Sequence, residues 1–275
     1  MECVEIMEKN KLLYVIVLLA GTVNLLLASC SSHEHSFVNG KCSVCGYEQF
    51  ELYYTLSNDN SYSFSGINTL GYDDDLNIVI PSHYNNLPVK KIDDDAFRFI
   101  GSSNLTSIVI PNSITSIGDS AFKYCKKLTS IEIPNSVTNI GKEAFSQCSQ
   151  LKNIVLSNSL TSIDKGTFNE CTSLTSIKIP NTVTSIGDSA FFHCNSLTSI
   201  EIPDKVTSIG ASAFNACTRL KNLVIPNTVT SIGTRAFQSC YDLTSIVLSK
   251  SLTSLEEYTF LDCKSLTSIV LPNSV

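Results

Sequence analysis

LTSIEIPNSVTNIGKEAFSQCSQ, Leu128 to Gln150, is a sentence the chain repeats at a fixed spacing. Copies begin at Leu105, Leu128, Leu151, Leu174, Leu197, Leu220 and Leu243, and a shortened copy begins at Leu266. No insertion breaks the period: Cys125, Cys148, Cys171, Cys194, Cys217, Cys240 and Cys263 fall 23 residues apart throughout. A constant period in this range belongs to a solenoid, in which each unit packs on its neighbours alone. Counting the first leucine as position 1, each coil has 23 positions, and coils one to eight start at the leucines just named.

Ile131 and Ile133 alternate with Ser130 and Glu132, the period of a strand with one face buried. Pro134-Asn135 then turns the chain, since proline cannot donate to a ladder and asparagine accepts turn geometry. A second extended piece, Val137 to Ile140, leads to Gly141, and Lys142 to Gln147 is expected to make one or two helical turns. Glycine recurs at this point as Gly118, Gly141, Gly187, Gly210 and Gly233, but Asp164 and Glu256 replace it in two copies. A strictly left-handed position would resist that exchange, so the expected role is a helix N-cap. One repeat cannot stand alone: its apolar side chains do not offset the cost of ordering its backbone, about 1–2 kcal/mol per residue. Stability has to come from stacking.

The pattern LxxIxIPxxVTxIGxxAFxxCxx resembles the bacterial leucine-rich repeats of BspA-like surface proteins and Treponema repeat proteins, over Leu105 to Val275. The resemblance implies an α/β leucine-rich repeat solenoid, with a parallel sheet on one face and short strands and helical turns on the other. It also implies adhesion at a cell surface. Departures fall in the third and seventh copies, with Ser157 and Ser249 in place of proline and Thr167 and Thr259 in place of alanine. Duplication of a four-repeat block accounts for them.

The chain has 275 residues, 43% of them hydrophobic, and a formal net charge of −6, which argues against nucleic acid as a partner because no Lys/Arg cluster is present to meet phosphates. Residues 1–29 read as a secretory signal: Lys9 and Lys11, an apolar run, and then Leu27-Ala28-Ser29-Cys30. That last tetrapeptide resembles a bacterial lipobox, which makes Cys30 the lipid anchor of an exported, membrane-anchored protein at the outer membrane or cell surface. A transmembrane helix is the competing reading of the same run. At the other end the text stops mid-repeat at LPNSV, Leu271 to Val275, which reads as truncation in preference to an end covered by a partner copy.

Between anchor and solenoid, residues 30–50 form a tether carrying His33, His35, Cys42 and Cys45. Two histidines and a Cys-x2-Cys knuckle are four ligands of the kind a structural zinc takes. A local disulfide or two idle thiols explain the same residues, and the three readings stay open. Residues 51–104 read as an N-terminal cap with a degenerate first repeat, in which Leu52 to Phe64 form a hairpin and Leu76 to Pro81 echo the repeat. Asp73–Asp75 and Asp93–Asp95 lack a calcium-loop grammar and read as solvated turn acids.

Catalytic signatures are missing from the text. G-x-S-x-G, Walker and H-E-x-x-H motifs do not occur, and His193 next to Cys194 points away from it. The cysteine ladder runs along a line, where a metal needs ligands that converge on a point, so buried free thiols are expected. No cofactor and no catalytic residue are assigned, and no enzyme is expected. What remains is surface. The open strand face carries Val109, Glu132, Val155, Lys178, Glu201, Val224, Val247 and Val270, beside a file of serines that includes Asn222. Val224, Val247 and Val270 form its apolar patch. A protein or glycan ligand is the expected partner, and a structural role in the envelope without a host ligand is the alternative.

Overall fold

The computed structural model describes residues 51–68, 75–98 and 104–275; ahead of them it describes only four backbone strands, Leu13–Leu19, Thr22–Ala28, Phe37–Val38 and Lys41–Cys42. Cys30, expected as the lipid anchor, and the side chains of residues 1–50, those of His33, His35, Cys42 and Cys45 among them, lie outside the described residues.

The first six coils bury the same positions, and their isoleucines, leucines, alanines, phenylalanines and cysteines merge into one continuous core, against which the partly buried Leu255, Phe260, Cys263, Leu266 and Ile269 of the last two coils pack. Positions 3 to 5 run extended with an exposed–buried–exposed alternation, as in Ser130–Glu132, Asn153–Val155, Asn222–Val224 and Ser245–Val247. These runs pair parallel and in register, Ser130–Glu132 with Asn153–Val155 and Asn222–Val224 with Ser245–Val247. Leu76–Val79 also pairs parallel with Leu105–Val109, with a register shift between Leu105 and Ser107. The sheet is not continuous: among the described residues no ladder pair forms at Ser176–Lys178 or Ser199–Glu201. Positions 12 and 13 make a second parallel array, in which Ser162–Ile163, Ser185–Ile186, Ser208–Ile209 and Ser231–Ile232 stack in order.

The helical turns expected after the glycine do not form, and no helix occurs among the described residues. Two features of the stack exclude one. Position 16 and position 20 hold positive φ in every full coil, as at Ser120 (54°) and Tyr124 (68°), Ser189 (52°) and His193 (56°), and Tyr258 (60°) and Asp262 (61°). The amides between them also alternate in direction. Ser120, Phe122 and Tyr124 donate to Lys142, Ala144 and Ser146 of the next coil at 2.8, 2.7 and 2.9 Å. Lys123 and Cys125 donate back three residues, to Ser120 and Phe122, at 3.0 and 3.1 Å. An α-helix would keep every bond inside the segment. Here half of the donors are spent on the neighbouring coil, so the solenoid is all-β with a run of turns on its third side.

The recurring glycine also has a different cause from the one expected. Its φ is not left-handed, but there is no helix for it to cap. A Cβ on Gly187 would lie 2.7 Å from the amide nitrogen of Lys165 and 2.8 Å from the carbonyl carbon of Asp164. In the five coils that carry glycine here, the backbone of the preceding coil lies too close for a Cβ to fit without a shift.

At the N-terminal end Glu51–Leu56 and Tyr62–Asn68 pair antiparallel. Tyr62–Asn68 then pairs parallel with Leu87–Ile92, which in turn pairs with Ser116–Ile117. Phe64 heads a column of stacked rings that continues through Phe97, Phe122 and the phenylalanine of every later coil to Phe260, with centroids 5.0 to 5.8 Å apart.

Candidate functional site

Positions 3 and 5 share a face because side chains alternate across a strand and position 4 is turned into the core. Val109, Glu132, Val155, Lys178, Glu201, Asn222, Val224, Val247 and Val270 are all exposed. Register sets their neighbours: Glu132 stands beside Val155, and Val224 beside Val247. Val224, Val247 and Val270 are 63%, 59% and 82% exposed, an unusual degree of exposure for β-branched apolar residues that have a core at hand. Val79, in register with Val109, extends the file at its other end. Sequence reasoning passed over Val79, although its Ile-Val-Ile-Pro setting was legible.

Around Glu132 the face dips into a groove of about 570 Å3, walled by Val109, Val155 and Pro134 and edged by Ser130 and Asn153. Asn222 is committed within the surface, its Oδ1 accepting from the Ser245 hydroxyl at 2.8 Å and the Thr244 hydroxyl at 3.1 Å. A second shallow groove, of about 670 Å3, follows the glycines of the other array, with Gly187, Gly210 and Gly233 as its floor and Lys165, Asp188 and Glu256 at its margins. The three glycines leave the floor of this groove without side chains to fill it. A third feature unread in the sequence is a tyrosine cluster on the N-terminal hairpin. Tyr54 stacks on Tyr84 at 4.2 Å and Tyr62 meets Tyr84 edge-on. Burial, together with Tyr84, pushes the Tyr54 phenol up to about 12. Nearby Asp59 is held below the usual carboxylate range by the Ser61 hydroxyl and by Lys90.

The cysteine ladder is structural in its contacts. All seven thiols are free, six are buried and Cys263 is partly so. Each thiol from Cys148 onward donates to the carbonyl of the phenylalanine 26 residues earlier, for example Cys171 Sγ to Phe145 O at 3.2 Å. Burial pushes Cys148, Cys171, Cys194 and Cys240 far above the ordinary thiol value and Cys217 up to about 12. Such thiols are poor nucleophiles. His193 lies on the surface against the Phe192 ring and does not face the buried Cys194. Among the described residues no group of three or more His, Cys, Asp or Glu side chains is arranged to hold a metal ion. Asp75 and Asp95 are instead paired with Lys127 and Arg98.

The model for the BspA-type leucine rich repeat region (6 copies) matches residues 90–199 and 184–275. No curated relative matches the chain. Among solved structures, the chain is similar to the T. pallidum leucine rich repeat protein at 26% identity and a TM-score of 0.55, over 78% of this chain and 87% of that one. It is similar to a leucine rich cell surface protein from Faecalibacterium prausnitzii at 26% identity and a TM-score of 0.50, over 90% and 85%. The pneumococcal vaccine antigen PcpA shares the fold at 19% identity, a TM-score of 0.50 and coverage of 74% and 69%.

Proposed function

The chain belongs to the family of BspA-type leucine rich repeat proteins, and on that footing we propose that it is a cell-surface protein whose strand face binds a protein or glycan. One observation carries the reading: a file of valines exposed by more than half, two of them in register on paired strands, on a surface whose other files are polar. An apolar stripe with a polar rim is the anatomy of a binding surface, and a solenoid presents it over an extended platform. Surface location draws support from the cell-surface description of the F. prausnitzii relative. Anchoring through Cys30 rests on the lipobox-like Leu27–Cys30 text; radiolabelled palmitate should enter the wild-type chain and not Cys30→Ala, and equal labelling would remove the anchor.

The test of binding is a panel of extracellular-matrix proteins and mucin glycans presented to the wild-type chain and to Val224→Glu/Val247→Glu. Both valines are exposed, so the variant should melt as the wild type does while its binding falls at least tenfold, roughly the loss of one apolar anchor. Unchanged binding would remove the valine file from the account. A scaffolding role in the envelope, without a host ligand, would follow if no member of the panel bound.

A further inference from the structure

We propose that the strand face is also self-complementary, and that two copies of this chain associate through it with their solenoid axes antiparallel. From coil one to coil eight, position 3 reads Ser, Ser, Asn, Ser, Ser, Asn, Ser, Ser, and position 2 reads Thr, Thr, Lys, Thr, Thr, Lys, Thr, Thr. Both files are the same in either direction about the boundary between coils four and five. A two-fold axis along the strand direction at that boundary, lying in the plane between two facing sheets, places coil four against coil five of the second copy, coil three against six, two against seven and one against eight. Closed two-fold contacts require such a self-matching patch.

Position 5 then decides whether the match is attractive. Lys178 of one copy faces Glu201 of the second, and by symmetry Glu201 faces Lys178, so that four alternating charges meet at the axis. Val155 faces Val224, and Val109 faces Val270. Asn153 faces Asn222, an amide pair inside the file of serines. At position 5 the single mismatch is Glu132 against Val247. Lys152 faces Lys221 at the outer edge, where long side chains can turn away into solvent. All of these side chains are exposed, and the ion pairs of the described residues lie elsewhere, which leaves Lys178 and Glu201 open to an outside partner.

Charge complementarity selects the second copy as occupant. A face with the order apolar, negative, apolar, positive, negative, then three apolar is met charge for charge at its centre by its own reverse. Eight coils at about 4.8 Å and a width of about 12 Å give roughly 1,000 Å2 buried over both copies, the low end for specific interfaces, so the dimer is weak and concentration-dependent. This inference does not depend on an external ligand; it makes self-association a competitor for the same face.

Sedimentation velocity on the full chain, from micromolar to near-millimolar concentration, tests it with Lys178→Glu, Glu201→Lys and the double exchange Lys178→Glu/Glu201→Lys. Each single reversal places like charges opposite each other at both symmetry-related contacts and should weaken association by roughly tenfold or more. The double exchange restores opposite charges at every contact and should return the wild-type association constant. Melting temperatures of all four proteins should agree, since both residues are exposed. Association that is the same in all four, absence of any dimer in the wild type, or a double exchange no better than the singles would each overturn the proposal. Association through the apolar N-terminal run would show itself by indifference to all three variants.

Discussion

Raising the pH should unfold this array from the inside, because the thiol ladder cannot ionise in place. Cys148, Cys171, Cys194, Cys217 and Cys240 are buried to within a rounding of zero exposure. Desolvation lifts all five above the ordinary value, and for Cys148, Cys171, Cys194 and Cys240 neighbouring thiols on the ladder add to it. In the unfolded chain a cysteine titrates near pH 8.5. Above that point the unfolded state has released protons that the native state still holds, so stability falls as pH rises; below it the contribution is fully present. Each thiol contributes a slope of about 1.4 kcal/mol per pH unit, and five acting together give roughly 7 kcal/mol per unit above about pH 9. Typical domains hold only about 5–15 kcal/mol in total, so the array should lose its fold within one or two units of that threshold. Urea titrations followed by circular dichroism, with reductant present, measure the slope directly from neutral to about pH 10.5. Replacing Cys171 and Cys194 by alanine should lower neutral stability yet flatten the alkaline slope by about two fifths. A wild-type midpoint constant over that range, or a slope untouched by removing two rungs, would refute the reasoning.

Two further outcomes follow from the core. Phe191 stacks on Phe168 at 5.4 Å and on Phe214 at 5.2 Å, so Phe191→Ala opens a void in mid-column; the cost should be about 3–5 kcal/mol, and calorimetry should show the single transition broadening or dividing at the fourth coil. Ser157 is buried where other coils carry proline, with its hydroxyl donating to the Val137 carbonyl at 2.6 Å and accepting from the Ser159 amide at 3.1 Å. Ser157→Ala leaves both groups without a partner and should cost about 1–3 kcal/mol by urea denaturation, and a loss below a few tenths would show that the bridge is not needed.

The departures from the repeat explain each other once the coils are stacked. Ser157 and Ser249 replace proline, and each sends its hydroxyl to the carbonyl of a valine 20 residues earlier, at 2.6 Å in both cases. Thr167 and Thr259 replace alanine in the same coils and donate to the carbonyls of Asp164 and Glu256, the two residues that stand where glycine is otherwise found. In sequence these are scattered substitutions with a shared spacing. In space they are two copies of one alternative coil, which carries its own hydrogen bonds.

The period, the inward positions and the exposed valine file were all readable from the chain by itself, because a 23-residue repeat forces equivalent residues into equivalent surroundings, and strand alternation then divides core from surface. The third side of each coil was not readable. Asp-Ser-Ala-Phe-Lys-Tyr-Cys, Asp119 to Cys125, carries a local pattern that a helix would satisfy, and nothing within one repeat says that its alternate amides will be taken by the next. Only stacking supplies the carbonyls of Lys142, Ala144 and Ser146 to the amides of Ser120, Phe122 and Tyr124, and those bonds hold positions 16 and 20 in the left-handed region that a helix forbids. The glycine at position 14 is of the same kind: a Cβ added to Gly187 would lie 2.7 Å from the amide nitrogen of Lys165 in the preceding coil, a crowding that exists only after the array has formed. Local patterning determined which residues turn inward, and contact between coils decided what backbone joins them.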